Sequence, residues 1–214
     1  MCSSLPSPNT FYDLGCGCGK VGEWVNSFRF LQDLNERLCV QVVLAIGLSF
    51  DWKAVCGIEI LPKLSSLALQ AKERLAQVIP REVRSPRLRD SLLARLEKIS
   101  FVRGSFLEAT PHHPDWATDQ GQWAPDVIFA CSTAFDDKTF DMLSRRAESV
   151  KVGCVVVTVS YPLKSAMFSK VAVEEWTMSW GKATVITHRK DHNRRAESSF
   201  LRGLGFQPRA KDKT

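Results

Sequence analysis

Three glycines within five residues, Gly15, Gly17 and Gly19, follow directly on the run Phe11-Tyr12-Asp13-Leu14 and narrow more than anything else what the chain can become. An apolar strand that runs into glycines is a turn whose backbone passes close to a ligand or a neighbour, where any side chain would collide. A dinucleotide fingerprint, G-x-G-x-x-G, needs its third glycine at position 20, but Lys20 stands there and Gly19 comes one residue early. That spacing disfavours NAD.

Beyond the loop, short β-branched runs alternate with longer helical patterns, which predicts strand-helix-strand units and a mostly parallel sheet. Strands are expected at Thr10–Leu14, Lys53–Glu59, Ile99–Arg103, Val127–Cys131 and Cys154–Ser160. An edge pair, Val171–Glu174 and Lys182–His188, should be antiparallel and joined through Trp180-Gly181. Leu64, Leu67, Ala68, Ala71, Leu75 and Val78 share a helical face that Pro80 should end. Leu88, Leu92, Leu96 and Ile99 repeat the pattern, and Asp137 is placed to precede a helix buried through Phe140, Leu143 and Ala147.

With 214 residues, 44% hydrophobic and 24% charged, the chain can bury one substantial core. No segment approaches about 18 uninterrupted apolar residues and no leader pattern is evident, so a soluble, intracellular protein without membrane contact is expected. The seven cysteines are odd in number and several lie in apolar runs, which favours reduced, buried thiols. Cys16-x-Cys18 has no second pair to complete a zinc site, and His112-His113 with Asp115 reads as a Pro-rich surface loop, so no metal is expected. The net charge of +6 suits an anionic partner.

The loop and its acidic neighbours resemble the cofactor site of class I S-adenosylmethionine (SAM)-dependent methyltransferases. In that class an acidic residue just before the glycines holds the methionine portion, and Asp13 occupies its place. A carboxylate ending the second strand takes the ribose hydroxyls, since it can accept two hydrogen bonds from a diol; Glu59 fits. The alternative is a glycine-rich turn with Glu59 as a solvated strand end. The fold implied is a Rossmann-like, mostly parallel seven-stranded α/β sheet with a C-terminal antiparallel hairpin.

Further segments are similar to the disruptor-of-telomeric-silencing family, histone lysine methyltransferases without a SET domain. They are Gly57-Ile58-Glu59-Ile60-Leu61, Arg103-Gly104-Ser105-Phe106-Leu107, Asp126 to Phe135, and Met178-Ser179-Trp180-Gly181. The similarity runs from Phe11 to about Lys190. It implies methylation of histone H3 in the nucleosome and a nuclear location, with the cytoplasm as an additional one. By position, Phe106 would stack near the adenine, with Ser105 at the family's acidic position. Cys131 falls where the family's active-site loop has asparagine, and Phe135 and Tyr161 would wall the lysine channel. Phe135 and Trp180 equally fit core packing.

The candidate catalytic residues are therefore Cys131, Phe135 and Tyr161. The candidate cofactor residues are Asp13, Gly15, Gly17, Gly19, Glu59, Ser105 and Phe106. The catalytic domain would span 1–190, truncated at its amino end relative to the family, and 191–214 would form a flexible basic tail able to touch DNA.

From Gly19 to Glu59 the chain is longer by roughly twenty residues than one strand-helix-strand step needs. Skipping Val21 to Gln41 restores the family's spacing, and the borders suit a retained intron read in frame. A long helix striped by Trp24, Phe28, Leu31, Leu34 and Leu38 is the alternative. The competing functional readings are a non-catalytic or truncated SAM-binding fragment and a methyltransferase of a non-histone substrate.

Overall fold

The computed structural model describes residues 9–17, 42–107, 125–178 and 181–191. Seven strands form one sheet in the order β3-β2-β1-β4-β5-β7-β6. These are β1 (Thr10–Leu14), β2 (Ala54–Glu59), β3 (Ile99–Arg103), β4 (Val127–Ala130), β5 (Val155–Val159), β6 (Phe168–Met178) and β7 (Gly181–Lys190). The pairs from β3 through β5 are parallel, and β7 lies antiparallel between β5 and β6. The expected seven-stranded sheet with its terminal hairpin is the observed one.

Chain direction across the sheet reverses beside β1, which pairs with β2 on one side and β4 on the other. Loops leaving β1 and β4 therefore diverge and leave a crevice at the carboxyl ends of the strands, where sheets of this kind bind ligands.

The alternating side chains of the strands feed two cores. On one face Phe11, Val55 and Ile99 pack with α1 (Val42–Ser49), α2 (Pro62–Glu82) and α3 (Pro86–Glu97) through Val43, Leu44, Leu75, Ile79, Leu92 and Leu96. On the other, Tyr12, Ile58, Ile128 and Val156 pack with α4 (Asp137–Ala147) through Phe140, Leu143 and Ala147.

Residues 160–167, which include bends at 160–161 and a turn at 166–167, connect β5 to β6 and reach that second face through Leu163. Leu163 joins the core there, and its backbone N–H donates to Nε2 of the buried His188 at 3.1 Å. The other ring nitrogen of His188 lies 3.1 Å from the Val156 carbonyl. Burial foremost lowers the pKa of this imidazole and favours its neutral form.

Several local expectations are corrected. Pro80 does not end α2, which runs on to Glu82, because a proline in the last turn removes only one ladder bond; Val83 closes the helix by donating to the Ile79 carbonyl. Leu88 and Leu67 are exposed rather than on the buried face, which passes instead through Ser65, Ala68, Leu75, Ile79, Leu92 and Leu96.

Asp136, not Asp137, caps α4, its side chain accepting from the Thr139 N–H at 2.7 Å; Asp137 is the first helical residue. β6 is longer than Val171–Glu174, since pairing with β7 carries the strand through Ser169, Lys170 and Glu175, which have little strand propensity of their own, out to Phe168 and Met178.

The proposed insertion 21–41, the helical stripe from Trp24 to Leu38, Gly19, the His112-His113 loop, Trp180 and the tail beyond residue 191 lie outside the described residues. The next described helix begins at Val42.

Candidate cofactor site

β1 delivers Asp13 and the glycine loop to the carboxyl edge of the sheet, and β2 delivers Glu59 beside them. Gly15 and Gly17 both adopt positive φ, at 77° and 52°, a conformation that side chains disfavour. The N–H groups of Gly15 and Cys16 both reach the Ile58 carbonyl, at 2.9 and 3.0 Å, which turns the loop back over the end of β2.

Glu59 locks that turn from its side chain. Oε2 accepts the Gly17 N–H and Oε1 the Leu61 N–H, each at 2.8 Å. Each oxygen keeps a further lone pair, so the carboxylate can still receive hydroxyls. Glu59 is thus a buried, hydrogen-bonded group, 5% exposed, and not a solvated strand end.

Asp13 is 2% exposed, and its Oδ1 has no hydrogen-bond partner. Burial first, and the nearby charge of Glu59 second, push its carboxyl up to about 8. A buried carboxylate oxygen left unpaired is costly in a folded protein unless something else meets it. A ligand cation reaching the loop would satisfy it.

The residues around Asp13 are packed with little slack. Gly57 is its register partner on β2, and a Cβ there would lie 2.8 Å from Cys16 Sγ and 2.9 Å from both Phe101 and Val43. The Cys16 thiol is pushed upward, chiefly by burial. Cys16, Cys56, Cys131 and Cys154 are free thiols, and all but Cys131 are buried. Among the described residues no cluster of His, Cys, Asp or Glu is arranged to hold a metal, and no helix is long and apolar enough to cross a membrane.

Phe135 and Phe106 close the crevice from the other side. Their rings lie 5.4 Å apart at 33°, and the Phe135 ring comes within 3.2 Å of where a Gly15 Cβ would be. In this structure it is that ring, and not only a ligand, that requires a glycine at position 15. Ser105 is half-buried and makes a local turn contact, its Oγ accepting the Leu107 N–H at 3.1 Å.

Cys131 follows β4 and packs against Val159, Ala183 and Val185; burial foremost raises its pKa, so the thiol stays protonated at neutral pH. Among the described residues no ring contact joins Tyr161 to the Phe106–Phe135 pair. Tyr161 is half-exposed, and its ring lies 5.9 Å from that of Phe140.

Sequence reasoning missed the hydroxyls that bind the two loops at this edge together. Ser132 Oγ donates to the Val159 carbonyl, and Thr133 Oγ1 lies 3.1 Å from Ser160 Oγ. Ser160 has φ 75°, the one positive value at a non-glycine among the described residues. Hydroxyl residues just past the ends of both β4 and β5 were the available signal.

No protein-family model and no curated protein sequence matches the chain. Solved structures do. The rRNA methyltransferase aviRa from Streptomyces viridochromogenes aligns over 86% of this chain and 78% of its own, at 15% identity and TM-score 0.53. Sp1610 of Streptococcus pneumoniae, assigned as a tRNA (m1A22) methyltransferase, aligns over 95% and 76%, at 11% and 0.50.

TrmN from Thermus thermophilus aligns over 86% of this chain at 15% identity and TM-score 0.50, and the chain spans 44% of TrmN's length. The fold is that of the class I methyltransferases, enzymes whose methyl donor is SAM.

These likenesses correct the expected membership of the disruptor-of-telomeric-silencing family, because aviRa and Sp1610, to which the chain is similar, are named as RNA methyltransferases. The segments behind that resemblance are β2, the end of β3, β4 and the hairpin, elements common to class I methyltransferase sheets, so they report the fold and not the acceptor. The histone or nucleosome partner and the nuclear location rested on the same resemblance and are withdrawn with it; the tail's contact with DNA, read from its basic charge, is withdrawn because the acceptors named for aviRa and Sp1610 are RNAs.

Proposed function

We propose that the chain is a SAM-dependent methyltransferase acting on a nucleobase of RNA. The observation that supports it best is the buried Asp13, whose Oδ1 lacks a partner beside the positive-φ Gly15 and Gly17 and the Glu59 carboxylate. Asp13 would receive the amine of the methionine portion, and Glu59 the ribose hydroxyls on its remaining lone pairs. Phe106 and Phe135 would wall the adenine.

When bound, SAM would supply a sulfonium-activated methyl open to one-step attack by a nitrogen lone pair, the N–C bond forming as the C–S bond breaks and its electron pair leaves with the neutral thioether. The neighbouring residues contribute alignment and water exclusion more than acid-base chemistry. Cys131, protonated, and Tyr161 would line the acceptor's approach, and the acceptor's proton would leave to solvent. An RNA acceptor accords with the net charge of +6 and with the acceptors named for aviRa and Sp1610.

The second reading is a cofactor-fold protein without turnover, favoured by the Phe135 ring lying against Gly15. Incubation with methyl-labelled SAM and total RNA, then digestion to nucleosides and mass spectrometry, separates the two. A labelled nucleoside supports transfer. Measurable SAM binding with no label in RNA supports the second reading and defeats the first.

A further inference from the structure

We infer that the arginine-rich turn between α2 and α3 is a docking surface for the phosphates of a structured RNA, remote from the crevice. The inference rests on the RNA reading above and says where the bulk of the acceptor is held.

The charge distribution points there first. Residues 62–103 contain ten Lys and Arg against four Asp and Glu, an excess equal to the +6 of the entire chain. The concentration is sharpest from 81 to 89, where Arg81, Arg84, Arg87 and Arg89 fall within nine residues. Arg81, Arg84 and Arg87 are exposed. Arg89 has Asp90 3.6 Å away, but among the described residues no ion pair involves Arg81, Arg84 or Arg87. Nothing in the described fold neutralises them.

The turn is also built to hold them in place. Val83 is buried and donates to Ile79, Ser85 caps α3 by accepting from Leu88, and Pro86 fixes the first helical residue. Arginines on a fixed turn lose little freedom on binding. Their planar forks engage phosphate oxygens in pairs, and the positive end of α3 adds to the field. Leu88, 52% exposed, lies among them and gives a ribose or base an apolar contact.

Position determines what kind of RNA fits. α2 leaves the cofactor end of β2, and its 21 residues at the helical rise extend about 30 Å toward the opposite end of the strands. A nucleoside or short oligomer in the crevice cannot span that length, whereas a folded RNA can. The surface would therefore contribute affinity for large acceptors and leave the crevice itself untouched.

The test is binding of unfractionated transfer RNA and of a four-nucleotide oligomer, by fluorescence anisotropy across a salt series, with SAM affinity measured in parallel. The proteins are the full chain, its Arg84→Glu/Arg87→Glu variant and its milder Arg84→Gln/Arg87→Gln variant. Lys170→Glu/Lys182→Glu on the hairpin serves as a control with the same charge change as the first.

The arginine variants should bind transfer RNA at least about tenfold more weakly, with the log-log salt slope reduced by about two. Oligomer and SAM affinities should be unchanged, and the hairpin control should stay near wild type. Transfer RNA binding unaffected in the arginine variants, or weakened equally in the hairpin control, overturns the inference, as does a full chain that binds no RNA.

Binding that depends on Arg84 and Arg87 without methylation of any RNA would keep the docking surface and defeat the methyltransferase reading. Loss of binding to anionic lipid vesicles in place of RNA would assign the surface to a membrane and overturn the inference as well.

Discussion

Glu59 accepts the backbone N–H of Gly17 at 2.8 Å, and so the last residue of β2 fixes the shape of the loop that leaves β1. Its second oxygen is held by the Leu61 N–H at the start of α2. One carboxylate thus ties together the first strand, the second strand and the helix that follows.

Glu59→Gln tests that tie. An amide has one acceptor oxygen where two backbone donors need one each, so its NH2 must face an N–H. A loss of about 1–3 kcal/mol in stability is expected, together with a rise of roughly tenfold or more in the SAM dissociation constant. Denaturant unfolding and calorimetric titration measure the two. Unchanged values in both would show that Glu59 does not organise the loop.

Asp13 gives the free protein a distinctive pH dependence. Below about pH 4 its carboxyl is protonated whether the chain is folded or not. Between the ordinary 3.8 and about 8 only the unfolded chain readily releases the proton, so stability falls as pH rises through this window and levels off above it. The other carboxylates contribute slopes of their own, so the quantity to measure is the difference between wild type and Asp13→Asn. The variant's relative stability should increase from pH 4 to 8 in thermal melts. A flat difference would mean that Asp13 is not held protonated.

Gly57→Ala probes the packing beneath the site. The new methyl would meet Cys16 Sγ, Phe101 and Val43, all under 3 Å. Overpacking of this kind costs about 1–3 kcal/mol, and the displacement of Cys16 should carry into the glycine loop and weaken SAM binding. A variant as stable as wild type in urea unfolding would show the contact to be slack.

Much of the sheet was legible because parallel strands buried on both faces are short β-branched runs bounded by turn residues; Thr10–Leu14 and Ile99–Arg103 have the expected bounds. Asp13 and Glu59 were legible as strand-end carboxylates in a recognised order. The rest depends on distance in sequence. The Phe106–Phe135 pair, the Thr133–Ser160 contact and the His188–Leu163 bond join residues between 25 and 29 positions apart, and no local pattern encodes them. The acceptor was misread because motifs at strand ends specify the cofactor fold, while acceptor choice lies in surfaces that periodicity does not mark.

Deleting residues 21–41 tests the insertion proposed from chain spacing. β1 ends at Leu14, Gly17 is tied to Glu59, and the next described helix starts at Val42 with Val43, Leu44 and Leu48 in the core. Joining Lys20 to Val42 should keep these elements, so the shortened chain should unfold cooperatively and bind SAM within a few-fold of the full chain. An unfolded product by circular dichroism would mean that the segment belongs to the domain.

Calorimetric titration of SAM into the wild-type chain and into Asp13→Asn at pH 7 is the most direct measurement of the central claim. Saturable binding is expected for the wild type, with release of close to one proton as Asp13 ionises against the bound amine. Affinity in the variant should be at least about tenfold lower, with the proton release gone. No SAM binding by the wild type, or equal affinity and equal proton release in the two, would contradict the assignment of the glycine loop and Asp13 as the cofactor site.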